Sequence, residues 1–304
     1  MSRVLRFINP EKGPITHIVT TPYPGIFRRR FWHSTAHLLN GPSGASPGFK
    51  VMSDCGGGWS RSRELSQLKA VVEAVERWAY KTYAAADPAA AALDRDPNSN
   101  GFAAMPGPDT EGLAASHAFC EALERFLLDR LWLAGLKMKL STATDGRIAG
   151  LFKAFGGAPA VYELAFEAEF PAGGGRRGYF FSLCLFRTKA GGVIPGSSCS
   201  LEAEGGRERA MFECYNHCRA FELMEKTGGG GLENILEKRL YKFASSGGYF
   251  DKVAAKLEAG GFEPPAVSFS RRLPGPWDPE IAVHRVLVEG APPLNGGGLE
   301  RFII

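Results

Sequence analysis

Three kinds of segment are missing from this sequence, and each absence removes a class of protein. No stretch approaches the roughly 20 consecutive apolar residues that a membrane-spanning helix needs. The opening Met1-Ser2-Arg3-Val4-Leu5 lacks the apolar run of a secretory signal. No two of the cysteines (Cys55, Cys120, Cys184, Cys199, Cys214, Cys218) stand at the Cys-x-x-Cys spacing of a structural zinc site. Reduced, partly buried thiols and a cytoplasmic location are therefore expected. Charge of one sign is also scarce. With 36 Lys+Arg against 32 Asp+Glu the net charge is +4, so composition does not call for nucleic acid as a partner. The densest basic run, Arg28 to Arg30 between Phe27 and Phe31, suits a solvated loop or strand end as well as an anionic ligand.

What is present is ordinary globular material. The 304 residues are 44% apolar and 22% charged, enough for one large domain or two small ones. The first 60 residues, rich in Pro and Gly with short apolar runs such as Ile15 to Thr21, read as strands and loops. Leu65, Leu68, Val72, Val75 and Trp78 recur at helical spacing and predict a helix from about Arg61 to Tyr83. After a loop-like stretch through Pro97-Asn98-Ser99-Asn100-Gly101 and Pro106-Gly107-Pro108, a second helix is expected from about Glu111 to Leu136. Val161–Phe170 and Gly178–Thr188, parted by a glycine-rich turn, predict a hairpin. A third helix is expected over Gly206–Lys226, ended by Gly228–Gly231, which lacks the Gly-Lys-Ser/Thr of a phosphate-binding loop. A fourth helical region, Leu232–Gly260, is interrupted at Ser245-Ser246-Gly247-Gly248, and Ile281–Val288 reads as a strand. The expected class is α+β. No clean boundary appears, so a single domain spanning residues 1–304 is the economical reading.

The informative feature is an internal echo. Val72-Glu73-Ala74-Val75-Glu76-Arg77-Trp78 recurs as Cys120-Glu121-Ala122-Leu123-Glu124-Arg125-Phe126. Spacing of three on a helix puts both glutamates of each copy on one face. Either they are solvated and supported by the arginines, or the helices gather their carboxylates around Mg²⁺, a hard cation that takes oxygen ligands and shares them with phosphates. On the third helix Glu213, Asn216 and Arg219 recur at intervals of three, a carboxylate, an amide and a guanidinium suited to a nucleotide. Cys214 and Cys218, four apart with His217 between them, fit helix packing better than a metal site, and better than a nucleophile with its base.

In this order the motifs resemble the YcaO family, over roughly residues 50–295. The family pattern is a Ser-x-x-x-Glu-x-x-Glu-Arg helix, a second Glu-x-x-Glu-Arg helix, then a small-residue loop leading to a helix with Glu, Gln or Asn, and Arg. The closing stretch Ala282-Val283-His284-Arg285-Val286-Leu287-Val288-Glu289-Gly290 is similar to the family's last strand and turn. The resemblance implies a mixed sheet with packed helices and a nucleotide site between them. It implies ATP held by Lys69, Arg77, Glu213, Asn216 and Arg219, and Mg²⁺ held by Glu73, Glu76, Glu121 and Glu124. It implies ATP-dependent activation of a peptide backbone amide, giving an azoline or a thioamide in a ribosomally made precursor peptide. A separate leader-binding or partner protein would deliver the substrate, and assembly of further copies is left open. Three departures stand out. Lys69 replaces the family serine, Gly57-Gly58-Trp59-Ser60 lacks the family's upstream lysine, and Glu300-Arg301-Phe302-Ile303-Ile304 is not a Pro-x-Pro-x-Pro ending; Pro292-Pro293 lies too far inside to replace it. They imply a different amide-activating reaction, or a non-catalytic subunit that binds peptide or a partner enzyme.

Overall fold

The computed structural model describes residues 4–9, 14–23, 31–39, 55–86, 101–107, 109–142, 146–170, 173, 175–226, 235–290 and 299. Arg28–Arg30, Pro97–Asn100, Gly228–Gly231, Pro292-Pro293 and Glu300–Ile304 lie outside them. In chain order the main elements are β1 (Ile15–Tyr23), β2 (Phe31–Leu38), β3 (Cys55–Ser60), α1 (Arg63–Ala86), β4 (Gly101–Pro106), α2 (Glu111–Ala134), β5 (Lys139–Leu140), β6 (Ala160–Glu169), β7 (Arg176–Arg187), β8 (Val193–Ser200), α3 (Ala203–Lys226), α4 (Ile235–Ser245), α5 (Tyr249–Lys256), β9 (Val267–Arg272) and β10 (Ile281–Val288). Among the described residues no helix is long and apolar enough to cross a membrane.

Backbone packing divides the chain into two compact units, neither continuous in sequence. The first is Met1–Pro97, Phe102–Ala118 and Phe269–Val286; the second is Asn98–Gly101, Phe119–Ser268 and Leu287–Ile304.

In the first unit β1, β2 and β3 form an antiparallel meander, and α1 packs on it. Ser62 starts the helix: its hydroxyl accepts the Leu65 N–H at 3.1 Å and donates to the Glu64 carboxylate at 2.7 Å. Ser62→Ala is expected to lower stability by about 1 kcal/mol, read as a lower urea midpoint at unchanged slope. Helical spacing turns Ala70, Val71, Ala74 and Val75 inward, where they join a core with Ile15, Ala36, Phe102 and Trp277. α1 can lie flush on β3 because the strand has no side chains beneath it. A Cβ on Gly56 would stand 2.2 Å from Ala74 N, and one on Gly58 2.0 Å from Ser66 O. A further sheet has the order β4-β10-β9, and every residue of β10 is buried.

In the second unit β5, β6, β7 and β8 form an antiparallel sheet in that order. The expected hairpin is present as β6 and β7. α3 follows β8, and Met211, Cys214, Cys218 and Phe221 join a core with Phe152, Phe186 and Ile194. α2 stops at Gly135, whose φ of +82° provides the left-handed residue on which helices commonly end.

The two meanders followed by helices are alike in detail. Gly196 meets α3 as Gly56 meets α1, with an added Cβ 2.2 Å from Cys214 N and 2.3 Å from Ala210 O. The same spacing separates Gly56 from Glu73 and Gly196 from Glu213. The chain thus carries two copies of one strand–helix arrangement.

Candidate functional site

Among the described residues β8 is the end strand of its sheet, paired with β7 on one edge. Its other edge is covered by side chains rather than by a strand. His217 Nδ1 reaches Pro195 O at 2.7 Å, Glu213 accepts the Ser197 N–H, and Glu124 Oε2 accepts the Cys199 N–H at 3.1 Å. Residues two apart on a strand turn their backbone groups to the same edge, about 7 Å apart. An imidazole and two carboxylates therefore stand in a row, two from α3 and one from α2.

Ser197 links the two acids. Its N–H binds Glu213, and its hydroxyl donates to Glu124 Oε1 at 2.6 Å. Burial pushes the Glu124 carboxyl up to about 7, the Glu213 charge adds to the rise, and the Ser197 and Cys199 bonds oppose it. Burial also pushes Glu213 up to about 7, against the Ser197 bonds and the Arg125 charge. Two acids this close titrate as a pair. A proton or a cation favours each of them, and Arg125, whose charge acts on Glu213, also pairs with Glu121.

The first unit repeats the pattern at β3. Glu73 Oε2 accepts the Gly57 N–H at 3.0 Å, as Glu213 accepts that of Ser197. Glu76 Oε2 accepts the Ala104 N–H at 3.0 Å, and Arg77 bonds Glu73 at 2.5 Å. Burial works to lower the Arg77 pKa, but the Glu73 contact, with Glu76 and Cys55 nearby, holds it above its ordinary value. Arg77 Nε is buried with no acceptor. Exposed Lys69 donates to Trp59 O at 3.2 Å.

The sequence echo between α1 and α2 is thus matched in local bonding. In each, the first glutamate pairs with the arginine four residues on, and the second accepts an N–H from a strand. The third predicted set is more scattered: Glu213 is in the row, Asn216 is half-buried and Arg219 is exposed on α3. Among the described residues no three His, Cys, Asp or Glu side chains stand at metal-ligand spacing. Cys214 and Cys218 face the core and His217 turns to Pro195, in keeping with the packing reading. Burial holds the Cys199 and Cys214 thiols well above their usual range, which makes them poor nucleophiles.

Sequence reasoning missed Ser197 and Arg209. Arg209 occupies on α3 the place that Lys69 has on α1. Arg209 is exposed, and its Nε donates to Ser198 Oγ at 3.1 Å. Comparing α1 with α3 rather than with α2 would have found both residues.

No family model and no curated protein matches the sequence. Among solved structures the chain is similar to one in the E. coli microcin synthetase McbBCD complex, at 11% identity and TM-score 0.55, over 88% of this chain and 86% of that one. The same complex with pro-MccB17 bound matches at 12% identity and TM-score 0.55, again over 88% and 86%. YcaO from Methanopyrus kandleri bound with AMPPCP and Mg²⁺ aligns at 12% identity and TM-score 0.47, over 95% and 89%. Identities this low speak for the fold alone. The chain has an α+β fold, shared with that chain of the microcin synthetase complex.

Proposed function

We propose that this chain binds Mg·ATP and activates a backbone amide of a ribosomally made peptide, by cyclodehydration to an azoline or by thioamidation. The observation that carries the reading is the half-buried pair Glu124 and Glu213 joined through Ser197. A close acidic pair whose pKa stays raised despite the Arg125 charge suits a hard divalent ion with oxygen ligands. The fold shared with a microcin synthetase chain and the ordered Glu-x-x-Glu-Arg helices support the same reading.

Among the described residues no three side chains close a metal site by themselves. Mg²⁺ in the second unit would therefore take one or two of the Glu121, Glu124 and Glu213 carboxylates and complete its shell with phosphate oxygens. Ser197 would set the direction of the last two carboxylates. Glu73 and Glu76 would serve a metal from the first unit. Exposed Arg209, with Nε anchored on Ser198, would grip phosphate oxygens with its remaining guanidinium nitrogens. Lys69, Arg77 and Arg219 would add positive charge for the triphosphate, and Asn216 would bind the nucleoside. When bound, ATP supplies a phosphoryl group that makes the amide oxygen a good leaving group, and Mg²⁺ neutralises the charge on it. A separate protein would present the precursor peptide. The chain would work in the cytoplasm.

Phosphate release from Mg·ATP, measured with the purified chain, its partner and precursor peptide, tests the reading. Release should depend on the peptide and fall ~100-fold in Glu121→Gln. Equal release by wild type and variant would end the metal assignment. One observation favours a second reading, a non-catalytic subunit that binds peptide or partner. Lys69 Nζ donates to Trp59 O, and the stretch Gly57-Gly58-Trp59-Ser60 lacks the lysine of the family pattern. Binding of Mg·ATP without peptide-dependent release would favour it. Arg209→Gln is expected to weaken Mg·ATP binding ~10-fold in either case, readable by calorimetry.

A further inference from the structure

Of the three groups on the β8 edge, His217 has no part in holding metal or nucleotide. It lies one helical turn beyond Glu213 and binds the same strand edge two residues away, at Pro195 instead of Ser197. Arg77 stands at the matching place in the first copy, but a guanidinium stays protonated and cannot accept a proton. An imidazole can.

The contact with Pro195 decides which nitrogen is basic. A carbonyl oxygen only accepts hydrogen bonds, so Nδ1 carries the hydrogen in the 2.7 Å contact with Pro195 O. The neutral ring then has a bare lone pair on Nε2, fixed in direction by the Nδ1 bond. A backbone carbonyl orients the ring here, as a carboxylate does in a catalytic triad. Amide activation requires such a group: the attacking substrate side chain, or sulfide, has to lose its proton as it adds to the carbonyl carbon.

We propose that His217 Nε2 is the general base of the amide-activating step, taking the proton of the attacking thiol or hydroxyl. The bond from sulfur or oxygen to the carbonyl carbon forms, the carbonyl π pair moves onto the amide oxygen, and the proton passes to Nε2. The oxygen so charged is the one that is phosphorylated. The proposal rests on the amide-activating function described above. Burial lowers the His217 pKa, the Pro195 bond partly offsets this, and no charged side chain contributes to the shift. The ring is therefore neutral and ready to accept a proton at pH 7. Ionisation of this kind gives an acid limb to turnover, with a midpoint below the usual imidazole value of about 6.5.

His217→Asn keeps an N–H for Pro195 O and removes the basic nitrogen. With a pool of Cys-, Ser- and Thr-containing peptides as probe, it should lower peptide-dependent phosphate release ~100-fold, abolish the acid limb and leave the Mg·ATP dissociation constant within about twofold. Unchanged release by the variant would overturn the proposal while leaving the nucleotide reading intact. Absence of Mg·ATP binding by the wild type would instead remove the nucleotide reading, and this base with it. Nitrogen-15 spectra of histidine-labelled full-length chain, which has six histidines, provide a second measurement that needs no peptide. Protonated Nδ1 with bare Nε2 at neutral pH is the expected pattern for His217. The opposite tautomer would overturn the proposal.

Discussion

Glu124→Gln should make the protein more stable at pH 8 and almost inactive. Ionised Glu124 and Glu213 repel each other in a half-buried setting, and the glutamine amide removes one charge while its oxygen accepts the Cys199 N–H and its NH₂ donates to the Ser197 hydroxyl oxygen. The folded-state pKa of the pair, about 7, lies above the unfolded value near 4.5. The pair's favourable contribution is therefore complete below pH 4.5 and declines as pH rises towards and through 7. For one group raised this far the lost stability is roughly 3 kcal/mol. In the variant this pH dependence should flatten, and the melting temperature at pH 8 should rise. Turnover should fall by ~100-fold or more, because an amide supplies no charge to a divalent ion. A variant less stable than wild type at pH 8 would show that the acids are compensated in some other way.

Gly196→Val should be severely damaging to stability, and Gly56→Val comparably so. At each position even the first side-chain carbon would fall 2.2 Å from a helix backbone nitrogen, and a backbone cannot swing aside as a side chain does. A loss of about 4 kcal/mol or more is expected, enough to leave a marginally stable protein unfolded. Gly112→Ala serves as the contrast. Gly112 lies on exposed α2 surface with nothing within 4 Å of an added Cβ, so alanine should stabilise by about 0.5–1 kcal/mol. Urea denaturation of the three variants would check the ordering. Similar midpoints for Gly196→Val and wild type would mean that α3 does not lie flush on β8.

These glycines also explain what could and could not be read from the sequence. α1, α2 and α3 were legible because their inward faces repeat apolar residues at helical spacing. β6 and β7 were legible as two β-prone runs on either side of a glycine-rich turn. β8 was not: Gly196-Ser197-Ser198-Cys199-Ser200 has the composition of a loop, and falls where the family pattern has a small-residue loop. Its residues are small because a helix lies directly on them, a tertiary constraint that leaves no periodic apolar pattern. β4 was missed for a similar reason, as Gly101-Phe102-Ala103-Ala104 sits among turn-forming residues.

The site was legible to about the same extent. The Glu-x-x-Glu-Arg echo pointed to α1 and α2, and their carboxylates do bond alike. The kinship between α1 and α3 was hidden because few residues are identical between the copies, chiefly Gly56 with Gly196, Ala70 with Ala210 and Glu73 with Glu213. What is shared is the geometry of a glutamate reaching round a strand edge to a backbone N–H. Glu76, Arg77 and Lys69 of the first copy are replaced by Asn216, His217 and Arg209 in the second. The two copies therefore offer different chemistry from one scaffold.

Calorimetric titration of Mg·ATP into the intact chain, at pH 8 with and without excess EDTA, tests the central claim most directly. Saturable binding that EDTA removes, weakened at least ~10-fold in Glu213→Gln, is the predicted result. Either no heat of binding in the wild type, or equal affinity in the variant, would contradict a nucleotide and cation site on the β8 edge.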